Sequence, residues 1–213
     1  LLLSEQSLEK EIKQEALHQL DSAKWSIIDI RDKEEFARQH VKGSINIGYG
    51  PLYLNWVTSL VPYEKQILLV AANSDQRKQA IKEMRMVGYD NFIALLTLNE
   101  ETQSLFNSTF PMITTLELKS RLEKSPEETF VIDVRSHGEW NAGHIEGAKH
   151  IALNELTSHL AQIPKDKPIA VTCGSGYRSS IATSMLQREG YQNVCNVQGG
   201  MQSWMNARYP IIK

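Results

Sequence analysis

The chain has 213 residues, 41% of them hydrophobic, with a formal net charge of −2 at pH 7, enough for one large domain or two of about 100 residues each. Its balanced charge excludes the basic footprint of a nucleic-acid binder, and no apolar run approaches the roughly 18 residues that a membrane span requires. Two cysteines, Cys173 and Cys195, are too few for a disulfide scaffold and point to a reducing, cytoplasmic compartment. The chain opens Leu1-Leu2-Leu3-Ser4 without a methionine and without a secretory h-region, so a fragment of a longer protein, or a processed one, is expected.

In chain order, Leu8, Ile12, Leu17 and Leu20 recur at helical spacing and predict an opening helix. Ile28-Asp29-Ile30-Arg31 reads as the end of a strand. The aromatic stretch from Tyr49 to Tyr63, with Tyr53-Leu54-Asn55-Trp56 inside it, predicts an inserted segment, and Trp56 suits an interface patch, a core position or a lid. Residues 99–112, rich in Asn, Glu, Thr and Ser and reaching Pro111, predict a linker between domains at 1–98 and 113–213. Beyond it, Thr114 or Thr115 caps a helix whose apolar positions are Leu116, Leu118 and Leu122. Phe130 to Val134 predicts a strand, Gly138 to Ala142 a short helix and Ile169 to Thr172 the next strand. A helix then carries Ile181, Ala182, Met185 and Leu186, and Val194 to Val197 is expected to close the sheet. Strands alternating with amphipathic helices predict an α/β fold with mostly parallel sheets flanked by helices.

The two halves are copies of one unit. Ile28-Asp29-Ile30-Arg31 answers Ile132-Asp133-Val134-Arg135, Glu35 answers Glu139, and His40 answers His144, all at a spacing of 104 residues. Gly88-Tyr89-Asp90-Asn91 answers Gly190-Tyr191-Gln192-Asn193 at a smaller spacing, which places the insertion in the first copy.

Cys173-Gly174-Ser175-Gly176-Tyr177-Arg178 joins an apolar strand to a helix. Such a turn aims backbone N–H groups and the positive end of a helix at one spot, and both favour negative charge. Gly174 and Gly176 let the backbone curl around the sulfur. Arg178 adds a cation able to hold an incoming anion or to lock the loop onto a carboxylate, and Ser175 and Tyr177 offer hydroxyls. Aligning Val70 with Val171 sets Ala72 opposite Cys173 and Arg77 opposite Arg178, so the first loop has no nucleophile, while Asp75 brings negative charge to it. The first copy then serves in packing, positioning or partner docking. Asp133 and Arg135 suit an ion pair at a strand end, with Glu139 bracing the loop. Cys195 suits a buried thiol, and His144 a structural, hydrogen-bonded histidine rather than a base, since the first copy keeps His40. His18, His137, His150 and His159 lack zinc-ligand spacing, so no metal or other cofactor is expected.

Val131-Ile132-Asp133-Val134-Arg135, Glu139, Gly143-His144-Ile145-Glu146-Gly147-Ala148, the Cys173–Arg178 loop, Gly199-Gly200 and Trp204 together resemble the rhodanese-like sulfurtransferases. The first half resembles the same fold more loosely and has Thr97-Leu98 where the second has Gly199-Gly200. The resemblance implies that Cys173 takes sulfane sulfur from thiosulfate or a small persulfide and holds it as a covalent persulfide. A thiol, cyanide or sulfite acceptor then receives it. A degenerate copy with an aromatic insertion followed by a complete one also resembles the C-terminal half of bacterial metallo-β-lactamase/rhodanese fusions, which implies a persulfide dioxygenase domain upstream. Dual-specificity phosphatases share this fold but use a loop one residue longer than the four residues between Cys173 and Arg178. A non-catalytic tandem docking module is the other rival. Donor, acceptor and self-association into a homo-oligomer stay open.

Overall fold

A computed structural model describes residues 24–213. The predicted helix through Leu8, Ile12, Leu17 and Leu20, and His18 with it, lies outside the described residues. The chain divides into two compact units, the first ending at Thr109 and the second running from Phe110 to Lys213.

The first unit comprises β1 (Trp25–Asp29), α1 (Lys33–Arg38), β2 (Ile45–Asn46), α2 (Tyr53–Leu60), β3 (Gln66–Ala71), α3 (Ser74–Met86) and β4 (Phe92–Thr97). Its sheet has the order β2-β1-β3-β4, and every pairing is parallel. Leu68, Leu69 and Val70 are fully buried, as expected of a central strand covered on both faces. The aromatic insertion is α2, packed into its own unit: the Tyr53 hydroxyl donates to the Ala80 carbonyl at 3.1 Å. Tyr89 fixes the other end of α2 through the Val57 and Val61 carbonyls at 3.2 and 2.5 Å. Trp56 is half-buried.

Of the stretch expected to be a linker, residues 99–109 belong to this unit and the remainder to the second. A 3-10 turn at Gln103–Leu105 leads to Phe106, and both Leu105 and Phe106 join the buried cluster of Val41, Leu68, Val70 and Leu96. Ser108 exchanges backbone hydrogen bonds of 2.8 and 3.0 Å with His40.

The second unit contains β5 (Met112–Ile113), α4 (Thr115–Lys124), β6 (Phe130–Asp133), α5 (His137–Ala142), β7 (Lys149–His150), a 3-10 helix (Leu153–Gln162), β8 (Ile169–Thr172), α6 (Tyr177–Arg188), β9 (Val194–Val197) and α7 (Gly200–Asn206). Thr114 caps α4 in a reciprocal box with Glu117, with bonds of 3.1 and 2.7 Å. The sheet order is β5-β9-β8-β6-β7, again all parallel. Val194 to Val197 therefore does not close the sheet. The Pro111 carbonyl accepts from the Asn196 N–H at 3.1 Å, and β5 takes the edge. Tyr191 repeats the role of Tyr89, donating to the Leu160 and Ile163 carbonyls at 2.8 and 3.3 Å.

Candidate active site

Strand β8 ends at Thr172, and the chain turns through Cys173 to Gly176 before α6 begins. Gly176 caps α6 with φ +94°, a left-handed value that favours glycine, and its N–H donates to Cys173 Sγ at 3.2 Å. The loop is held from behind by α7. Met201 N–H donates to the Cys173 carbonyl at 2.7 Å and Gln202 N–H to the Gly174 carbonyl at 2.9 Å. Because each peptide unit is planar and trans, drawing these two carbonyls toward α7 turns the Gly174 and Ser175 N–H groups the opposite way. Cys173 itself is only 1% exposed.

Of two side chains absent from the sequence reading, Ser179 meets the sulfur and Asn196 holds Ser179. Ser179 Oγ lies 3.4 Å from Cys173 Sγ and donates to Asn196 Oδ1 at 2.6 Å. The Asn196 amide nitrogen donates to the Gly176 carbonyl at 3.1 Å, which fixes the direction of that amide. Both residues are fully buried. A serine following the loop arginine was the available signal for Ser179. Asn196 carried none beyond being a polar residue in an apolar strand.

Arg178 turns onto a carboxylate. Its two terminal nitrogens donate to Glu139 Oε2 at 2.7 Å and Oε1 at 2.6 Å, the bidentate geometry that strengthens such pairs. The same carboxylate accepts from the Ser136 N–H at 3.1 Å and hydroxyl at 2.8 Å, so it also caps α5. The Arg178 hydrogen bonds, with the Ser136 contacts behind them, hold the Glu139 carboxyl at about 2, well below its usual range. Burial keeps the Tyr177 phenol above its ordinary range, and hence protonated at neutral pH. Ser175 is exposed and Gly174 half-buried. A Cβ at Gly174 would lie 3.1 Å from an Arg178 nitrogen.

Asp133 and Arg135 form a buried pair at 2.7 Å, and Arg135 also donates to the Gly143 carbonyl at 2.8 Å, tying the end of β6 to the end of α5. Asp29 and Arg31 repeat the brace at 2.6 Å, with Arg31 bound to the Gln39 carbonyl at 2.9 Å. His144 stacks on Trp140 at 3.5 Å and donates Nδ1–H to its carbonyl at 3.2 Å. His40 does the same with Phe36 at 3.9 and 2.9 Å. His150 Nε2 lies 2.8 Å from the Arg135 carbonyl oxygen and His159 Nδ1 2.9 Å from that of Glu155. Among the described residues no cluster of three His, Cys, Asp or Glu side chains has metal-binding proximity. Burial pushes the Cys195 thiol up to about 11, and its Sγ donates to the Ile169 carbonyl at 3.4 Å.

The sheets correct the pairing of the two loops by one residue. Asp29 pairs with Val70 as Asp133 pairs with Thr172, so Ala71, not Ala72, occupies the place of Cys173, and Gln76, not Arg77, that of Arg178. Apolar runs slide past one another in a sequence comparison, whereas ladder hydrogen bonds fix a single register. In the first unit the loop is also filled from within: Gln76 Oε1 accepts from the Ala72 N–H at 2.8 Å, and Asn73 Oδ1 from the Gln76 N–H at 2.9 Å. Asp75 is exposed in the first turn of α3.

A cavity of about 400 Å³ adjoins the second loop, with Gly174, Ser175, Ala142, Met201, Gln202 and Met205 in its lining. Arg135 and Glu139 are the charged side chains lining it.

The family model described as "Rhodanese-like domain" matches residues 13–98 and 114–207. The putative sulfurtransferase YtwF of Bacillus subtilis is 36% identical over 98 residues, covering 46% of this chain and 93% of its own. The thiosulfate sulfurtransferase GlpE of Shewanella oneidensis is 31% identical over 77 residues, covering 36% and 76%. The probable adenylyltransferase/sulfurtransferase MoeZ of Mycobacterium tuberculosis is 30% identical over 131 residues, or 61% of this chain, which spans 32% of that protein's length. No helix among the described residues is long and apolar enough to cross a membrane.

Proposed function

The chain belongs to the rhodanese-like domain family, and on that premise we propose that its second unit is a sulfurtransferase with Cys173 as the sulfur carrier. The observation that carries this reading is the surroundings of the sulfur: Cys173 Sγ has the Gly176 N–H at 3.2 Å and the Ser179 hydroxyl at 3.4 Å, at the N-terminus of α6. Donors preorganised around a sulfur stabilise negative charge on it without reorganisation, as an oxyanion hole does for oxygen. The Cys173 thiolate attacks the outer sulfur of the donor. A new S–S bond forms, the donor's S–S bond breaks, and the electron pair leaves with sulfite (from thiosulfate) or with a thiolate (from a persulfide). A thiol, cyanide or sulfite then attacks the outer sulfur of the Cys173 persulfide and releases the thiolate. No net oxidation occurs, and the chemistry asks for no cofactor beyond the covalent persulfide.

In this reading Glu139 and Arg178 hold the loop in shape, and the Asp133–Arg135 brace holds β6 to α5. The first unit, with Ala71 in place of the thiol, acts in packing or docking. The attachment of this pair to a metallo-β-lactamase domain rests only on the resemblance of the first unit and its aromatic insertion. The test is intact and peptide mass spectrometry after incubation with thiosulfate or glutathione persulfide. One sulfur added to the Cys173 peptide, absent from Cys173→Ser and discharged by cyanide, is the expected result. A folded protein that takes sulfur from neither donor would leave a docking module.

A further inference from the structure

We propose that a second cavity in the second unit, walled in part by Trp204 and separate from the catalytic loop, is a binding site for a small aromatic amine. The inference goes beyond the sulfurtransferase reading and does not depend on it.

This cavity has a volume of about 480 Å³, within the range of small-ligand sites, roughly 300–1,000 Å³. It shares no lining residue with the cavity beside the Cys173 loop. Helix α7 serves both, giving Met201, Gln202 and Met205 to the loop cavity and Trp204 to this one. Leu122, Ile145, Trp204 and Pro210 supply apolar walls. The Trp204 indole N–H already donates to the Pro210 carbonyl at 2.9 Å, so Trp204 offers this space ring carbon rather than a donor. Such a surface suits another ring.

Two polar side chains in the lining have no partner in the fold. Thr129 is only 9% exposed, and its hydroxyl makes no hydrogen bond to any described residue. The hydroxyl is left to whatever fills the cavity that Thr129 lines. Lys119 is paired with Glu123 one turn along α4, whereas the Glu146 carboxylate has neither an ion pair nor a hydrogen bond with a described residue.

The turn that carries Glu146 does not require a carboxylate. The Ala148 N–H closes it on the Ile145 carbonyl at 3.1 Å, as the Ser44 N–H closes its counterpart in the first unit on the Val41 carbonyl at 3.0 Å. That counterpart has Lys42 in the place of Glu146. The charge at this position is therefore free to serve a ligand. One uncompensated negative charge beside apolar walls selects an apolar body with a single positive charge.

The test is titration of the full chain, followed by two-dimensional N–H NMR, with tryptamine and its neutral and anionic analogues tryptophol and indole-3-propionate. The variants are Glu146→Gln and Thr129→Val. Glu146 is exposed, so its substitution spares the fold. Tryptamine at about 1 mM is expected to shift the Gly147 amide and the Trp204 indole N–H. It should bind about threefold more tightly than tryptophol, the scale of an exposed ion pair, with indole-3-propionate weakest. Glu146→Gln should erase that order. Thr129→Val should weaken tryptamine about fivefold, for the loss of one hydrogen bond. Should Thr129→Val lose its fold, the order of the three analogues in wild type and Glu146→Gln decides alone. No shift at Gly147 and Trp204, shifts confined to the catalytic loop, or an order unmoved by Glu146→Gln overturns the inference. Each of those outcomes leaves the sulfurtransferase standing, because sulfur loading of Cys173 is measured apart from it.

Discussion

Gly200 stands so close behind Cys173 that a Cβ on it would lie 2.2 Å from the Cys173 carbonyl oxygen and 3.1 Å from the Gly174 carbonyl carbon. Both neighbours are backbone and cannot swing aside, and Gly200 has φ +51°. Gly200→Ala is therefore expected to push α7 away from the loop and to destabilise the protein by about 1–3 kcal/mol. The measurement is the thermal midpoint together with sulfur loading of Cys173. A lowered midpoint with slowed loading is expected, and a variant that matches wild type in both would show that α7 does not hold the loop.

Ser179 has one hydroxyl proton and two acceptors, Asn196 Oδ1 at 2.6 Å and Cys173 Sγ at 3.4 Å. When the sulfur carries negative charge, the proton is expected to turn toward it. A hydrogen bond to a charged group contributes about 1.5–3 kcal/mol, so Ser179→Ala should slow alkylation of Cys173 by iodoacetamide about tenfold or more at neutral pH. The assay is done in a Cys195→Ser background, which leaves one thiol. An unchanged alkylation rate would remove the hydroxyl from the account.

Glu139 gives an acid signature with a defined sign. Its folded carboxyl is held at about 2, below the ordinary value of 4.5, chiefly by the Arg178 hydrogen bonds. Stability from this pair is then fully present above the ordinary value and is lost as pH falls through that value toward about 2. Because Glu139 is 40% exposed, solvent screening makes the contribution smaller than the shift alone implies. Denaturant midpoints of wild type and Glu139→Gln, followed from pH 6 downward, should converge in the acid range. A constant offset at all pH values would count against the pair.

Restoring a thiol to the first unit should not restore chemistry. Ala71→Cys, in a Cys173→Ser background, places sulfur at the register position of Cys173, yet the Gln76 side chain already takes the Ala72 N–H at 2.8 Å and the Asn73 side chain the Gln76 N–H at the helix start at 2.9 Å. No sulfur uptake is expected in peptide mass spectra. Uptake at position 71 would mean that the thiol alone makes a site.

The braces were readable in advance because they recur. Asp133 and Arg135, His144 and Glu139 stand at one spacing from Asp29, Arg31, His40 and Glu35, and residues kept in a copy lacking the thiol serve the fold first. The buried Asp–Arg pairs and the histidines stacked on α1 and α5 are that shared frame. The loop comparison went astray by one residue because Val70 and Leu69 are equally apolar, and only the pairing of Asp29 with Val70 tells them apart. The linker reading met a similar limit: composition marks residues 99–112 as polar, while Leu105 and Phe106 within them join the buried core of the first unit.

By itself the sequence determined that the chain is a duplicated α/β unit and that one copy carries a thiol in a glycine-containing turn before a helix, since periodicity, repeats and turn residues are local properties. Tertiary structure alone decided what surrounds that thiol and its loop. Ser179 comes from α6, Asn196 from β9, the N–H groups behind the loop from α7, and the carboxylate on Arg178 from a residue 39 positions away. Those meetings follow from ladder register and from the close approach that glycine permits at position 200, and neither is written in the spacing of residues along the chain.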